Sequence, residues 1–182
     1  MKRTYFLHLL GMILLWSLSS SAHAQQWYHV ELIVFEQLNS YTDEAWPETS
    51  FDINAPLNPS VSGKLIRPAK NSTLIQTAAR LQKSADYRVL YHNSWQQPIM
   101  TRSNSRAVNI QSADSSISGS VRFFKSTYLH AALDLQLMQG EQSPRLIESR
   151  RIRNKKLYFY DHPKMGALLQ ITPIEPDAIA AE

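Results

Sequence analysis

Asp161 and His162 stand side by side in the stretch LYFYDHPKMG, 157–166, an acid beside an imidazole. Such a pair can move protons or ligate a metal. The neighbouring residues point first to another duty. Pro163 keeps His162 out of helical angles and fixes the following φ. Asp161 can accept hydrogen bonds from backbone N–H groups just ahead, as in an Asx turn or a helix cap. Gly166 permits close backbone approach. The stretch therefore predicts a corner that ends a strand, and it keeps Tyr160 and His162 as candidate ligand contacts at the rim.

The rest of the chain offers little catalytic machinery. It has six histidines, and His8 and His23 fall near the N-terminus, leaving His29, His92, His130 and His162. None of these four pairs at His-x-His or His-x-x-x-His spacing, and no His-Glu-x-x-His stretch exists, so the zinc-hydrolase pattern is missing. His29 and Glu31 share one strand face, and four dispersed ligands could still converge in space. No Gly-x-Ser-x-Gly elbow or Ser-x-x-Lys motif stands between a strand and a helix. Glu44 and Glu48 flank Trp46, and paired carboxylates do cleave glycans. A loop, however, rarely holds carboxylates to the tolerance catalysis needs. The expectation is a non-enzyme, with no catalytic residue, no metal site and no cofactor.

Charge is local rather than global. The sequence carries 19 basic and 15 acidic residues; setting aside Lys2 and Arg3 leaves 17 against the same 15. That near balance does not point to nucleic acid. Arg145, Arg150, Arg151, Arg153, Lys155 and Lys156 nonetheless crowd one segment, opposed by Glu148 alone. The segment reads as an attractor of anionic polymers or acidic partners, or as an edge hairpin kept from aggregating by its charge. Alternation puts Arg151, Arg153 and Lys155 on one side of a return strand, with Arg150, Ile152 and Lys156 on the other. A strand charged on both faces belongs at an edge.

The elements that must hold these residues follow from pattern. Lys2 and Arg3, the apolar run 5–16 and the small residues Ala22 and Ala24 form a secretory leader, predicted to be cleaved before Gln25. The run is shorter than the ~20 residues a membrane span needs. The expected organisation is a leader at 1–24, a single domain at 25–174 and a loose polar tail at 175–182. There is no cysteine, so the core alone must hold the fold. WYHVELIVFEQL, 27–38, is apolar on both faces and predicts a central strand. A long loop, 39–70, carries several prolines and predicts no regular element. A helix follows within 71–87, opened by a capping box at Thr73 and Gln76, and a strand at 87–95. Strand, helix and strand predict one crossover unit. A hairpin turns at the serine-rich 112–118. In the strand 129–137, Leu129, Ala131, Leu133, Leu135 and Leu137 point one way, with His130, Asp134 and Gln136 opposite. A return strand covers 145–160, and a last strand 166–174. The sum is an α+β domain, a mostly antiparallel β-sheet with one main α-helix packed on a face.

WYHVELIVFEQ, EAWPE, YRVLYHNSWQQP, YLHAALDLQL and SRRIRNKKLYFYDHPKMGALLQITP occur in that order. Together they resemble the CsiV family of periplasmic peptidoglycan-binding proteins. Thr127 stands where the family pattern has an arginine. The resemblance implies a non-catalytic periplasmic protein that binds the cell wall. It would support wall synthesis and cell shape by assisting an outer-membrane lipoprotein that activates a class A penicillin-binding protein. A wall binder needs aromatic platforms for sugars and arginines for stem-peptide carboxylates. The candidate contacts are therefore Trp46, Trp95, Arg122, Arg151, Arg153, Tyr160 and His162, with core packing as the alternative for Trp95. Two further readings stay open: an envelope adaptor whose partner is a protein, with incidental wall contact, and a wall-glycan-cleaving enzyme.

Overall fold

The first strand, β1 (Trp27–Gln37), is buried along nearly its whole length, with Val30, Leu32, Ile33 and Val34 all fully shielded. A strand apolar on both faces needs a cover on each side. The computed structural model, which describes residues 26–41, 65–138 and 143–175, supplies both. The predicted leader, Trp46 with Glu44 and Glu48, and the tail after Glu175 lie outside the described residues.

Eight more strands and one helix follow in order among the described residues: β2 (Arg67–Pro68), α1 (Ile75–Lys83), β3 (Tyr87–Pro98), β4 (Ala107–Gln111), β5 (Ile117–Lys125), β6 (Leu129–Leu137), β7 (Arg145–Ile152), β8 (Leu157–His162) and β9 (Met165–Pro173). They form two sheets instead of the expected one. The first runs β2-β3-β1-β9-β8 and the second β4-β5-β6-β7. The strand pairings are antiparallel. One hydrophobic cluster joins the sheets face to face: Val30, Leu32 and Val34 of β1 and Leu169 and Ile171 of β9 pack with Val121, Phe123, Leu133 and Leu135 of the second sheet. Each such side chain, fully buried, contributes about 1.5–3 kcal/mol. The opposite face of β1 presents Ile33 and Phe35, which pack with Leu74 and Ala78 under α1. The layers are thus helix, sheet, sheet. The α+β reading holds in its antiparallel sheets and its single helix, although that helix has only nine residues.

Four expectations need correction. The segment 39–70 does contain a regular element, since Arg67 and Pro68 pair with Gln96 and Trp95 as a two-residue strand. The β1–α1–β3 unit is no parallel crossover, because β1 and β3 are antiparallel neighbours. The capping box does not form: the residue before α1 is Leu74, and no side chain caps it there. The return at 145–160 is two strands, not one. It breaks at Arg153–Lys156, where Lys155 takes φ +60° and donates its N–H to Ile171 O at 2.7 Å. A single left-handed residue turns the chain, so β7 edges the second sheet and β8 edges the first. The predicted edge position of the basic segment therefore holds for both halves.

The hairpin β4–β5, the strand β6 and the last strand β9 fall where the sequence reading put them. Gly119 explains how β5 lies so close to β6. Its φ is +151°, and a Cβ there would overlap the Asp134 carbonyl oxygen on β6. A Gly119→Ala variant is therefore expected to lose about 2–4 kcal/mol, from backbone strain together with overpacking. Urea unfolding monitored by circular dichroism checks this, and an unchanged midpoint would contradict it.

Candidate functional site

The second sheet turns one face to the core and the other away from it, and α1 lies on the first sheet. Register therefore assigns the outward side chains. Phe124 of β5, His130 of β6 and Arg151 of β7 form one cross-strand row, and Arg122, Ala132 and Ser149 form the next. The small residues Ala132 and Ser149 keep the middle of the face low, so the cations stand at its end and margins.

Those cations rest on aromatic rings. The Arg151 guanidinium lies 3.3 Å from the centre of the Tyr128 ring, and that of Arg102 lies 4.9 Å from Phe124. His130 meets Phe124 edge-on at 5.1 Å. Such stacking orders an arginine and leaves its N–H edge open for an anion. Arg122 is fixed differently: Nε donates to Ser105 Oγ at 2.7 Å and an Nη to Arg102 O at 2.6 Å. Asp134, the acid of this face, is held bidentately by Arg145 at 2.6 Å through both contacts. The ion pairs among the described residues are Arg88–Glu36, His92–Glu31, Arg145–Asp134 and Arg150–Glu148. Arg102, Arg122, Arg151 and Arg153 stand in none of them.

The predicted residues divide sharply. Arg122 and Arg151 share the outward face, and Arg153 follows Arg151 at the exposed β7–β8 turn, its N–H donating to Tyr158 Oη at 2.7 Å. Trp95 is a correction: it is 0% exposed, its Nε1 donates to Gln97 Oε1 at 2.7 Å, and its ring packs near Phe123. Inward alternation on β3 buries it, so it offers no platform. Tyr160 is a second correction, at 0% exposure in the inter-sheet core under the Arg150 guanidinium. Burial pushes its phenol well above the usual range. Trp46 lies outside the described residues.

His162 and Asp161 end β8 at a tight turn to β9, so the corner reading holds. The roles within it differ from expectation. His162 Nδ1 accepts the Lys164 N–H at 3.1 Å, while Asp161 accepts from the Gln37 side chain at 3.1 Å. At Gly166 the close approach is made by the Phe35 and Phe159 rings, which stack across it at 6.2 Å. Sequence reasoning missed Arg102, Tyr128 and His130 as a group. The outward register of β6 located His130, but nothing in the sequence tied the 99–106 loop to the end of β5.

A second polar cluster lies on the helix side of the first sheet. Glu31, 0% exposed on the central strand, accepts from His92 Nε2 at 2.7 Å, Thr73 N–H at 2.6 Å, Thr73 Oγ1 at 2.8 Å and Ser72 Oγ. It ties the loop before α1 to β1, while the first turn of the helix itself has no side-chain cap. Serine, histidine and glutamate meet here, yet both oxygens approach the same ring nitrogen of His92. A proton relay needs the acid on one ring nitrogen and the nucleophile on the other. The arrangement is therefore a clasp. Among the described residues no group of three His, Cys, Asp or Glu side chains is placed to hold a metal ion, and no helix is long and apolar enough to cross a membrane.

A family model described as "Peptidoglycan-binding protein, CsiV" matches residues 7–62 and 49–174. No curated protein and no solved structure matches the chain.

The clasp makes a pH prediction. Burial alone would raise the Glu31 carboxyl, but hydrogen bonds from Ser72, His92 and Thr73 outweigh it and hold the group below its ordinary 4.5. A depressed folded value gives stability that is present above the unfolded value and lost as pH falls through the folded one. The melting temperature is expected to be level from pH 7 to about 5.5 and to fall below about 4.5. Glu31→Gln is expected to cost about 1–3 kcal/mol at pH 7 and to flatten that acid limb. Equal acid limbs in both proteins would refute the assignment.

Proposed function

The chain belongs to the CsiV family of peptidoglycan-binding proteins, and from that premise we propose that it is a non-catalytic periplasmic protein that holds the wall through the basic outer face of its second sheet. The observation that carries the reading is the set of arginines Arg102, Arg122 and Arg151, which are ordered by rings or hydrogen bonds and stand in no ion pair among the described residues. Wall glycan is strung with stem peptides that end in carboxylates, and an ordered guanidinium binds a carboxylate through two parallel N–H donors. Arg153 extends the same attraction along the β7–β8 turn. Repeated carboxylates on a polymer let several weak contacts act together. In this reading the protein reaches the periplasm by its cleaved leader. It supports wall synthesis and cell shape by assisting an outer-membrane lipoprotein that activates a class A penicillin-binding protein.

An adaptor reading, with a protein as the main ligand, draws on one observation. The edge strand β8 leaves Leu157 and Phe159 41% and 47% exposed. An edge of this kind can accept an added strand. Sedimentation of the pure protein with isolated sacculi, without any partner, separates the readings, because an adaptor stays in the supernatant.

Contacts between exposed charges are individually small, about 0.2–1 kcal/mol, and screened by salt. Co-sedimentation is therefore expected to weaken between low and moderate ionic strength. The triple variant Arg102→Ser, Arg151→Ser and Arg153→Ser is expected to bind roughly tenfold more weakly with an unchanged melting temperature. Labelled sacculi incubated with the protein are expected to release no soluble fragments. Salt-independent binding that survives the triple variant would move the contact elsewhere on the molecule, and fragment release would make the protein an enzyme.

A further inference from the structure

The sheet edges among the described residues are β2 and β8 in the first sheet and β4 and β7 in the second. Edges left open invite pairing, and charge, proline and short length are the usual devices against it. β2 has two residues and ends in Pro68, which has no N–H to offer. β4 buries Val108 and Ile110, and alternation turns the polar Asn109 and Gln111 the other way. β7 exposes Ile147 but follows it with Glu148, Arg150 and Arg151. β8 differs from all three. Its six residues, Leu-Tyr-Phe-Tyr-Asp-His, include no lysine and no proline. Two of its large apolar side chains lie open, Leu157 at 41% and Phe159 at 47% exposure.

This strand is complementary to itself when two copies run antiparallel. Leu157, Phe159 and Asp161 share the exposed face, on the helix side where Phe159 stacks with Phe35, and Tyr158, Tyr160 and His162 take the other. A twofold axis through Tyr158 keeps each face continuous across the pair. It sets Leu157 of each copy opposite Phe159 of the other, and such apolar cross-strand pairs stabilise a ladder. The same axis lays the exposed Lys155 and Lys156, before the start of each strand, beside Asp161 near the end of the other. These three charges stand in no ion pair among the described residues. An axis through Phe159 would instead put Leu157 against the Asp161 carboxylate. The complementarity therefore selects Tyr158 as the centre.

We propose that β8 is a self-association edge: two copies of this chain pair antiparallel along it and join their five-stranded sheets into one. A twofold pairing uses the same edge on both copies and so closes at the dimer instead of growing into a fibre. A pairing six residues long is a small interface, so the association is reversible. The inference goes beyond the wall-binding reading and does not depend on it. Its consequence for that reading is avidity, because a dimer carries the basic outer face twice and a polymer with repeated carboxylates can engage both.

Sedimentation equilibrium of the purified protein, with no wall present, is the test. The mean mass is expected to climb from monomer toward dimer, and no further, between about 5 and about 500 µM. Leu157→Lys, at an exposed position, is expected to weaken the association about tenfold or more, since it sets a cation against an apolar ring. The register has its own check, because the sequence contains no cysteine. Opposed Cβ atoms lie about 4.5–5.5 Å apart and diagonal ones about 7–8 Å, so a disulfide suits the opposed pair alone. Oxidising a mixture of Leu157→Cys and Phe159→Cys chains is expected to link one to the other, with little product from either alone. Circular dichroism shows whether each variant is folded, and Leu157→Lys carries the test if Phe159→Cys, which loses its contact with Phe35, is not. A chain monomeric throughout would overturn the inference and leave β8 to an added strand from another protein. Association undiminished in Leu157→Lys, or equal cross-linking of the single variants alone, would overturn it too. None of these outcomes touches wall binding, which sacculus sedimentation reads separately.

Discussion

A central strand with apolar side chains on both faces constrains everything else in this protein. β1 cannot lie against solvent on either side, since leaving one of its branched side chains exposed forfeits about 1.5–3 kcal/mol. The inter-sheet side is closed by the second sheet through Val30, Leu32 and Val34, and the other by α1 through Ile33 and Phe35. β1 also makes the pairings with β3 and β9 that hold the five-stranded sheet together. With no cysteine in the sequence, no disulfide shares that task.

Glu31 interrupts the apolar pattern of β1, and the interruption has a purpose. A buried carboxylate is costly unless its oxygens are matched with donors. Here the match comes from His92 on β3 and from Ser72 and Thr73 just before α1. Satisfying one acid thus fixes a strand, a loop and the entry to the helix at once. A nine-residue helix is marginal on its own, so it depends on such an anchor and on the Leu74 and Ala78 contacts for its position.

The second sheet divides its charges by face and by edge. Arg145 neutralises Asp134 on the outward face, and Arg150 turns inward to Glu148 and the Tyr160 ring. Arg102, Arg122, Arg151 and Arg153 stand in none of the ion pairs among the described residues. Rings under two of them reduce the ordering cost of binding, because the guanidinium plane is set before the ligand arrives. The β3–β4 loop is tied to this face where Arg122 donates to the Arg102 carbonyl and to Ser105.

Pattern in the sequence alone determined β1 from its two apolar faces, the β4–β5 hairpin from its serine-rich turn, β9 as the strand after the corner, and β6 because a period of two with one apolar face has no other stable solution. It also placed the basic segment at an edge, since charge on both faces cannot be packed. The corner at Asp161–Pro163 was legible from proline geometry. What tertiary structure decided was anything resting on contacts distant in sequence. Two sheets rather than one follow from the turn at Lys155, whose left-handed φ no lysine announces. The loop before the helix is anchored by Glu31, 42 residues upstream, so a capping-box spacing could not reveal it. Trp95 and Tyr160 resemble binding aromatics until the second sheet closes over them. The meeting of Arg102, Phe124, His130 and Arg151 comes from a loop folding back on a strand end and from pairing across β6. Local propensity names the strands; only burial and pairing bring those four side chains together.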